Sequence, residues 1–210
     1  MPALIPRGSW DAVYRSNQTP WDTGRPDPQL KAYLAANLTP GRRVLELGCG
    51  TGTNAVFLAR RGFLVTAFDL SKLAIARAKR KAKEASTTVD FLVRNATRFN
   101  LSKHFDWAFD RGCYHSLSKP QAAKYRASLL KHLDPGSHLL LLCFSDKEPL
   151  QQGRGQLPAS GCIGPRRISK ADLIHEFGAE FEIRSIADFR FDPNLPGFSP
   201  HGYAVLLVKK

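Results

Sequence analysis

Residues 44–52 read VLELGCGTG, an apolar run that leads directly into a glycine-rich turn. The apolar run predicts a buried strand, and the pattern TNAVFLARRG at 53–62 predicts a helix immediately after the turn. Glycines at 48, 50 and 52 let a ligand lie against the backbone, where the N–H groups at a helix start face it. Because nucleotide sites of several kinds use such glycines, this stretch predicts a ligand-binding strand–turn–helix unit without naming the ligand.

Two carboxylates narrow the choice of ligand. Glu46 lies at the end of the predicted strand, where a dinucleotide site normally carries glycine. Asp69 closes the next predicted strand, FLVTAFD, 17 positions after Gly52. A carboxylate at that point can accept hydrogen bonds from both hydroxyls of a ribose. The pattern therefore predicts a ligand that contains a ribose.

From residue 42 onward, short apolar runs alternate with helical patterns, which predicts an α/β domain with a mostly parallel sheet. The last two strands are separated only by the proline-rich FDPNLPGFSP, which leaves no room for a helix, so they should pair antiparallel. The predicted strands are 42–48, 63–69, 89–95, 105–112, 137–145, about 179–189 and 202–209, and the predicted helices are 28–38, 53–62, 71–85, 119–133 and 169–177.

The chain shows no internal repeat and no domain boundary, so we expect a single domain over 1–210. Two segments stand outside the regular pattern. Residues 1–28 precede the first predicted helix, and residues 146–168 form a long loop rich in glycine, proline and glutamine. Long connections in compact domains are often functional. We expect 1–28 to form a lid and 146–168 to form a loop on the substrate side.

Composition excludes several classes of protein. Of 210 residues 43% are hydrophobic, so the chain should fold, and its longest apolar run, HLLLLCF at 138–144, is too short to span a membrane. The four cysteines lack the spacing of a metal site or a disulfide framework. We expect a cytoplasmic, metal-free protein. The net charge of +13 keeps nucleic acid open as a partner, although the densest basic cluster, 77–86, should be the outer face of one helix.

Over about residues 10–209, the sequence resembles the class I S-adenosylmethionine-dependent methyltransferases. The resemblance rests on VLELGCGTG, on Asp69 and on the antiparallel final hairpin. It implies a Rossmann-like, seven-stranded, mostly parallel sheet in the order 3-2-1-4-5-7-6, with an antiparallel last strand and helices on both faces. It also implies S-adenosyl-L-methionine as cofactor and S-adenosyl-L-homocysteine as product.

The resemblance further implies which residues contact the cofactor. Asp69 would hold the ribose hydroxyls and Leu70 would pack on the adenine. Asn95 stands where the family usually has an aspartate, and its amide oxygen could accept a hydrogen bond from the adenine amino group. Asp110 would lie beside the transferable methyl. The full set of implied cofactor residues is Trp21, Glu46, Gly48, Gly50, Gly52, Asp69, Leu70, Asn95, Ala96 and Asp110.

Two further stretches resemble a narrower group. The sequence DRGCYHSL at 110–117 lacks the Asn/Asp-Pro-Pro-aromatic tetrapeptide of enzymes that methylate adenine or glutamine. Its Asp-Arg-Gly is similar to that of the thiopurine methyltransferase group, which implies that Arg111 reaches the substrate. QTPWDTGRPDP at 18–28 is similar to the tryptophan-containing segment of tellurite-resistance-type and other small thiol or heterocycle methyltransferases.

Chemistry adds candidate substrate and catalytic residues, each with an alternative. His115 has an unperturbed pKa near neutrality and could accept a proton, or it could be a structural histidine at a helix start. Arg111 contacts substrate or cofactor, or pairs with Asp110 or Asp22. Tyr114 lines the pocket or packs under the helix, and Trp21 covers the sulfonium or packs on the core. The predicted catalytic residues are His115 and Arg111, and the predicted substrate-binding residues are Arg111, Tyr114, His115 and Trp21.

The sequence thus predicts S-adenosylmethionine-dependent methyl transfer to a small molecule, at a thiol or thiopurine sulfur or at a heteroaromatic nitrogen or oxygen. We expect a monomer. One alternative is an RNA or other macromolecular methyltransferase that uses the basic surface, and another is a non-catalytic binding protein. The glycines and Asp69 are retained and no added recognition domain is evident, which favours the small-molecule enzyme.

Overall fold

A computed structural model describes residues 10–17, 19–148, 165–194 and 196–210. Seven strands form one sheet in the order β3-β2-β1-β4-β5-β7-β6, which confirms the predicted topology. β1 to β5 pair in parallel, and β7 runs antiparallel to both β5 and β6. The strands are β1 Arg43–Leu47, β2 Leu64–Asp69, β3 Asp90–Val93, β4 Phe105–Arg111, β5 Leu133–Phe144, β6 Phe181–Arg190 and β7 His201–Lys209.

The helices begin at the residues that their capping chemistry predicts. Asp27 accepts a hydrogen bond from the N–H of Gln29, Ser71 accepts one from Ala74, and Ser169 forms a capping box with Asp172. The helices are α1 Trp10–Arg15, α2 Pro28–Ala35, α3 Thr53–Ala59, α4 Lys72–Glu84, α5 Lys119–Leu130 and α6 Lys170–Phe177, with a 3₁₀ turn at Tyr114–Ser116.

Both faces of the sheet are buried, because successive side chains of each strand point to opposite faces. Leu45 and Leu47 enter one core with residues of α5 and α6, whereas Val44 enters the other with residues of α2, α3 and α4. Trp107 is fully buried in the second core, between the rings of Tyr33 and Phe63. Helices therefore cover both faces, as expected.

Two elements differ from the sequence-based prediction. The short helix α1 was not predicted, because six residues carry too little periodicity to reveal a helix. β5 was predicted to begin after Asp134-Pro135-Gly136, but it begins at Leu133. Leu133 pairs with Phe105 and His138 with Trp107, so the Pro-Gly segment is accommodated as an irregularity within the strand.

The parallel strands β1, β2 and β4 bring their carboxyl ends to one edge of the sheet. Leu47 lies beside Phe68 on β2 and Asp110 on β4, so the glycine-rich turn emerges between those two strand ends. In open α/β sheets, this edge is where ligands bind. Within the part of the chain that the structure describes, no helix has the length and hydropathy to cross a membrane.

Candidate active site

The turn after β1 has a backbone shape that requires glycine. Gly48 and Gly50 have φ values of 66° and 54°, in the left-handed region. A β-carbon on Gly48 would lie 2.6 Å from the Cβ of Cys113, and one on Gly50 would lie 2.9 Å from the hydroxyl of Tyr14. The turn therefore packs closely against two other elements and leaves its backbone open to a cavity.

That cavity has a volume of about 350 Å³ and lies over the strand ends. The glycine turn and Asp69 line one end, and aromatic and proline side chains line the other. Trp10, Tyr14 and Trp21 also line it, with the ring centroid of Trp21 6.1 Å from that of Trp10 and 6.5 Å from that of Tyr14. This aromatic trio comes from the predicted lid segment. Residues 1–9 and 18 of that segment, and residues 149–164 of the predicted substrate-side loop, lie outside the described residues.

Most of the predicted site residues line this cavity: Trp21, Glu46, Gly48, Gly50, Asp69, Leu70, Asn95, Ala96, Arg111 and His115. Gly52, Asp110 and Tyr114 do not line it, and each has another role. Gly52 precedes α3 with a φ of 78°, and a β-carbon there would collide with Ala78 and Phe91. Gly52 therefore serves the packing of the turn against α4 and β3.

Asp110 was expected beside the methyl group, but it lies fully buried beneath the cavity. Its carboxylate accepts hydrogen bonds from the N–H of Cys113 at 2.9 Å, from the N–H of Tyr114 and from the hydroxyl of Tyr125 at 2.8 Å. Burial raises the pKa of Asp110 to about 7. Asp110 therefore shapes the turn after β4.

Tyr114 was expected as a substrate contact, but the structure supports the alternative that it packs under the helices. It is fully buried, and its ring packs against those of Tyr125 and Phe177. Its hydroxyl donates to Glu176 and accepts from Arg126 at 2.9 Å. The tyrosine faces this ionic network, on the side of the chain away from the cavity lining.

The carboxylate of Asp69 can accept hydrogen bonds from a ligand that carries hydroxyl or N–H donors. Its two carboxylate oxygens accept the N–H groups of Gly50 at 2.9 Å and Ser71 at 2.8 Å, which fixes the side chain while each oxygen keeps further lone pairs. Burial raises the pKa of this carboxyl. Asn95 fits its expected role less well, because its amide oxygen already accepts both the N–H and the hydroxyl of Thr97. That oxygen is therefore engaged twice and is poorly available to an adenine amino group.

Glu46 has a buried carboxylate oxygen whose hydrogen-bonding capacity is unsatisfied by the described residues. The residue is 2% exposed, and its Oε2 has no hydrogen-bond partner among the described residues. Burial raises the pKa of Glu46 to about 8. A buried acceptor without a partner is costly unless a ligand supplies the donor. Glu46, Asp69 and the glycine turn together fit the ammonium, ribose and backbone-facing parts of S-adenosylmethionine.

Three aspartates anchor the lid segment to three different elements, which the sequence alone did not reveal. Asp11 accepts from the hydroxyl of Ser71 at 2.5 Å, at the start of α4. Asp22 accepts from the hydroxyl of Thr51 at 2.8 Å, in the glycine turn. Asp27 accepts from Nε of Arg111 at 2.5 Å, at the end of β4. The lid is thus fastened around the rim of the cavity.

Arg111 has a different partner from those predicted. It pairs with Asp27, not with Asp110 or Asp22, and its Nη1 donates to the carbonyl of Trp21 at 3.3 Å. The guanidinium carbon lies 5.4 Å from the centroid of the Phe191 ring. Arg111 therefore joins the lid to the cavity wall, and it lines the cavity itself.

His115 lines the cavity, and its surroundings disfavour the predicted role of proton acceptor. Its Nδ1 accepts the backbone N–H of Phe144 at 3.0 Å. Burial, followed by the nearby charges of Arg111 and Arg166, lowers the pKa of His115 to about 3. The imidazole is therefore neutral at physiological pH and a very weak base.

Comparison with known proteins decides the family. The sequence model of thiopurine S-methyltransferase (TPMT) matches residues 5–189. The chain belongs to the thiopurine S-methyltransferase family. As a member of this family it is an S-adenosylmethionine-dependent methyltransferase, which confirms the predicted class and cofactor.

Individual relatives agree with this membership. "Probable thiol methyltransferase 2" of Arabidopsis thaliana is 28% identical over 153 residues, which are 72% of this chain and 66% of that protein. The 2-heptyl-1-hydroxyquinolin-4(1H)-one methyltransferase of Mycobacteroides abscessus is 26% identical over 185 residues, 87% of this chain and 77% of that protein. The chain thus spans about two-thirds to three-quarters of the length of these two proteins.

Solved structures share the fold. One, from work on the conversion of a disulfide bond into a thioacetal group during echinomycin biosynthesis, has 27% identity and a TM-score of 0.82, covering 96% of this chain and 92% of its own. The 1,6-didemethyltoxoflavin-N1-methyltransferase of Burkholderia thailandensis, solved with 1,6-didemethyltoxoflavin and S-adenosylhomocysteine, has 21% identity and a TM-score of 0.76, covering 100% of this chain and 94% of its own. At that identity, the second likeness shows the fold alone.

Proposed function

We propose that this TPMT-family enzyme methylates the sulfur, or a ring nitrogen or oxygen, of a small aromatic or heteroaromatic molecule. One observation carries the proposal: a single cavity runs from the glycine turn and Asp69 to a wall of apolar side chains. That wall is formed by Leu117, Phe144, Phe191, Phe198 and Pro200. A flat aromatic ring suits such a wall, because aromatic pairs favour stacked and edge-to-face contacts.

The residues of the chain have three tasks in this reaction. S-Adenosylmethionine supplies the activated methyl group, so the protein must mainly align the acceptor and exclude water. Glu46 and Asp69 hold the cofactor, and the anchored lid with Trp10, Tyr14 and Trp21 covers the cavity. Arg111, which is paired with Asp27, presents guanidinium N–H donors beside the acceptor, which favours an anionic or electron-rich nucleophile.

The names of the relatives support the same substrate classes. One is named for thiols and another for a hydroxyquinolone, and both acceptors are small. We further propose a cytoplasmic monomer of one domain, in which the lid shelters the reaction. The basic residues Lys72, Lys79, Arg80 and Lys83 on α4 are exposed to solvent, and we assign them no substrate.

The test is a methyl-transfer screen with tritium-labelled cofactor against aryl thiols, thiopurines, hydroxyquinolones and total RNA. We expect label in one or more of the small acceptors, and loss of that labelling in Asp69→Ala. Label found in RNA but in none of the small molecules would overturn the proposal.

A further inference from the structure

The substrate end of the cavity contains a histidine whose tautomer is set by the fold. The Nδ1 of His115 accepts the backbone N–H of Phe144, the last residue of β5. A backbone N–H can only donate, so Nδ1 carries no proton. In a neutral imidazole, the proton must then reside on Nε2. Nε2–H is therefore a hydrogen-bond donor.

This donor lies beside a glycine at the cavity surface. A β-carbon on Gly112 would lie 3.2 Å from Nε2 and 3.3 Å from Cε1 of His115, and the φ of Gly112 is 87°. Gly112 and His115 both line the cavity. Nε2 makes no hydrogen bond to any of the described residues, so its proton has no partner among them.

The neighbours of His115 keep it neutral. Arg111 and Arg166 are the charged groups that face it, and both are cationic. The rings of Phe144 and Phe191 enclose it, with centroids 4.4 Å and 6.0 Å from that of the imidazole. A third positive charge, on the imidazole, next to two guanidinium groups and two apolar rings would be unfavourable.

The carboxylates that line the cavity are held by residues of the glycine turn and α3. Among the described residues they are Asp22, Glu46 and Asp69, which contact Thr51, Asn54 and Gly50 of the glycine turn and α3. The carboxylate next to this wall is Asp27, which is already paired with Arg111. The described substrate wall thus offers hydrogen-bond donors from His115 and Arg111, and no free carboxylate that could serve as a base.

We propose that His115 orients the acceptor substrate by donating a hydrogen bond from Nε2, and that the substrate reaches the cavity already ionised by loss of its proton to solvent. This inference rests on the proposed small-molecule activity. For an aryl thiol, the thiolate lone pair forms the new sulfur–carbon bond to the methyl group. The methyl–sulfonium bond breaks with its electron pair retained by the departing thioether sulfur, and no protein group gains or loses a proton. The substrate class is therefore acidic thiols and hydroxy-heteroaromatics in which the reacting atom, or an atom next to it, carries a further lone pair that accepts the Nε2 hydrogen bond.

The wild-type enzyme provides the first test. We would measure kcat/KM against pH for aryl thiols of graded acidity: 4-nitrothiophenol, thiophenol and 4-methoxythiophenol. We expect the rising limb of each profile to follow the pKa of the thiol itself. A limb that stays at one pH for all three thiols would identify an enzyme group as the base and overturn the inference.

Two substitutions separate the nitrogen atoms of the imidazole. His115→Asn keeps an acceptor near Nδ1 for the Phe144 N–H and removes the Nε2 donor. We expect kcat/KM to fall roughly ten- to a hundredfold, with unchanged cofactor affinity by calorimetry. His115→Gln places an amide donor near Nε2 and should recover part of that loss. Wild-type kcat/KM in His115→Asn would overturn the donor role. If the enzyme transferred methyl to no small acceptor, the proposed function would be overturned as well. If it methylated the thiols but the rising limb of the pH profile stayed at one pH for all three, only this inference would be overturned.

Discussion

The Nε of Arg111 lies 2.5 Å from Oδ2 of Asp27, and this ion pair connects the end of β4 to the lid residue that caps α2. The side chains of Arg111 and Asp27 are only 14% and 3% exposed. Asp27 also caps α2 through its other oxygen and donates its N–H to Asn54 at 2.9 Å. One aspartate therefore ties together the lid, α2, α3 and the substrate wall, so that lid position and Arg111 position are coupled.

Asp27→Asn should break this ion pair while it preserves the helix cap, since asparagine is also a good N-cap. Because the pair is nearly buried, we expect the free energy of unfolding to fall by about 1–3 kcal/mol in urea titrations. Asp192→Asn is the matched control, because Arg25–Asp192 also holds the lid but is 63% and 67% exposed. Asp192→Asn should lower the free energy of unfolding by less than about 1 kcal/mol. Equal losses in the two variants would contradict a special role for Asp27.

Arg111→Ala should impair turnover more than cofactor binding, because the residue faces the acceptor and holds the lid. Steady-state kinetics would give kcat/KM for the acceptor, and calorimetry would give the affinity for S-adenosylmethionine. We expect a loss of kcat/KM on the order of a hundredfold, the scale of removing one hydrogen-bonded charge. A matching loss of cofactor affinity would instead make Arg111 a cofactor residue.

Thr51 links the glycine turn to Asp22 of the lid, and Nζ of Lys81 supports the same hydroxyl at 2.8 Å. Thr51→Val keeps the shape but removes the hydroxyl, leaving Asp22 and Lys81 without this partner. We expect kcat/KM to fall about tenfold. Thr51→Ser retains the hydroxyl and should stay close to wild type. If valine and serine behave alike in the kinetic assay, the hydroxyl does not hold the lid.

Asp69→Ala removes the carboxylate at the end of β2 that we expect to accept hydrogen bonds from the ribose, and it also leaves the N–H groups of Gly50 and Ser71 without this acceptor. We expect the affinity for S-adenosylmethionine to fall roughly ten- to a hundredfold, the scale of hydrogen bonds to a charged group. Isothermal titration calorimetry measures this directly, with circular dichroism to verify the fold. An unchanged titration would count against the whole assignment of the cofactor site.

Glu46 should make the ligand-free protein less stable as the pH rises. Burial raises the folded-state pKa of Glu46 from 4.5 to about 8, so ionisation is more costly in the folded chain than in the unfolded one. Its contribution to stability is complete below the unfolded pKa and decreases as the pH rises toward about 8. Glu46→Gln should flatten the dependence of unfolding free energy on pH across this window. Burial also raises the pKa of Asp110, which lowers stability with rising pH in the same way, so part of the pH dependence should persist in Glu46→Gln. A pH dependence identical to that of the wild type would contradict the prediction.

Sequence reasoning succeeded where the chemistry is local. The glycines of VLELGCGTG, the strand-end carboxylate Asp69 and the caps Asp27, Ser71 and Ser169 are each recognisable from a few neighbouring residues. Their conformational needs act within one turn, so the pattern alone indicates them. The strand order followed from the resemblance to a known fold, and the structure confirms it.

Sequence reasoning failed where a role depends on residues far apart in the chain. His115 and Tyr114 are adjacent, yet one lines the cavity and the other packs against α5 and α6, because the 3₁₀ turn points them in opposite directions. The sequence did not predict the aromatic wall of the cavity for the same reason, because Phe144 ends β5 and Phe191 directly follows β6. Phe144 at the carboxyl end of a predicted strand was the one available signal.

The amino-acid sequence by itself determined the class of this protein: an α/β methyltransferase with a glycine turn, a carboxylate at the end of the second strand and a tryptophan-bearing segment ahead of the fold. Periodicity, capping and glycine conformation are short-range properties, and they were sufficient for the α/β fold with a ligand-binding turn, whereas the methyltransferase class followed from the resemblance to a known family. Only the tertiary structure decided that Arg111 pairs with Asp27 and that Phe144 fixes the tautomer of His115. Those contacts join residues 84 and 29 positions apart, and burial then sets the protonation of the groups it brings together.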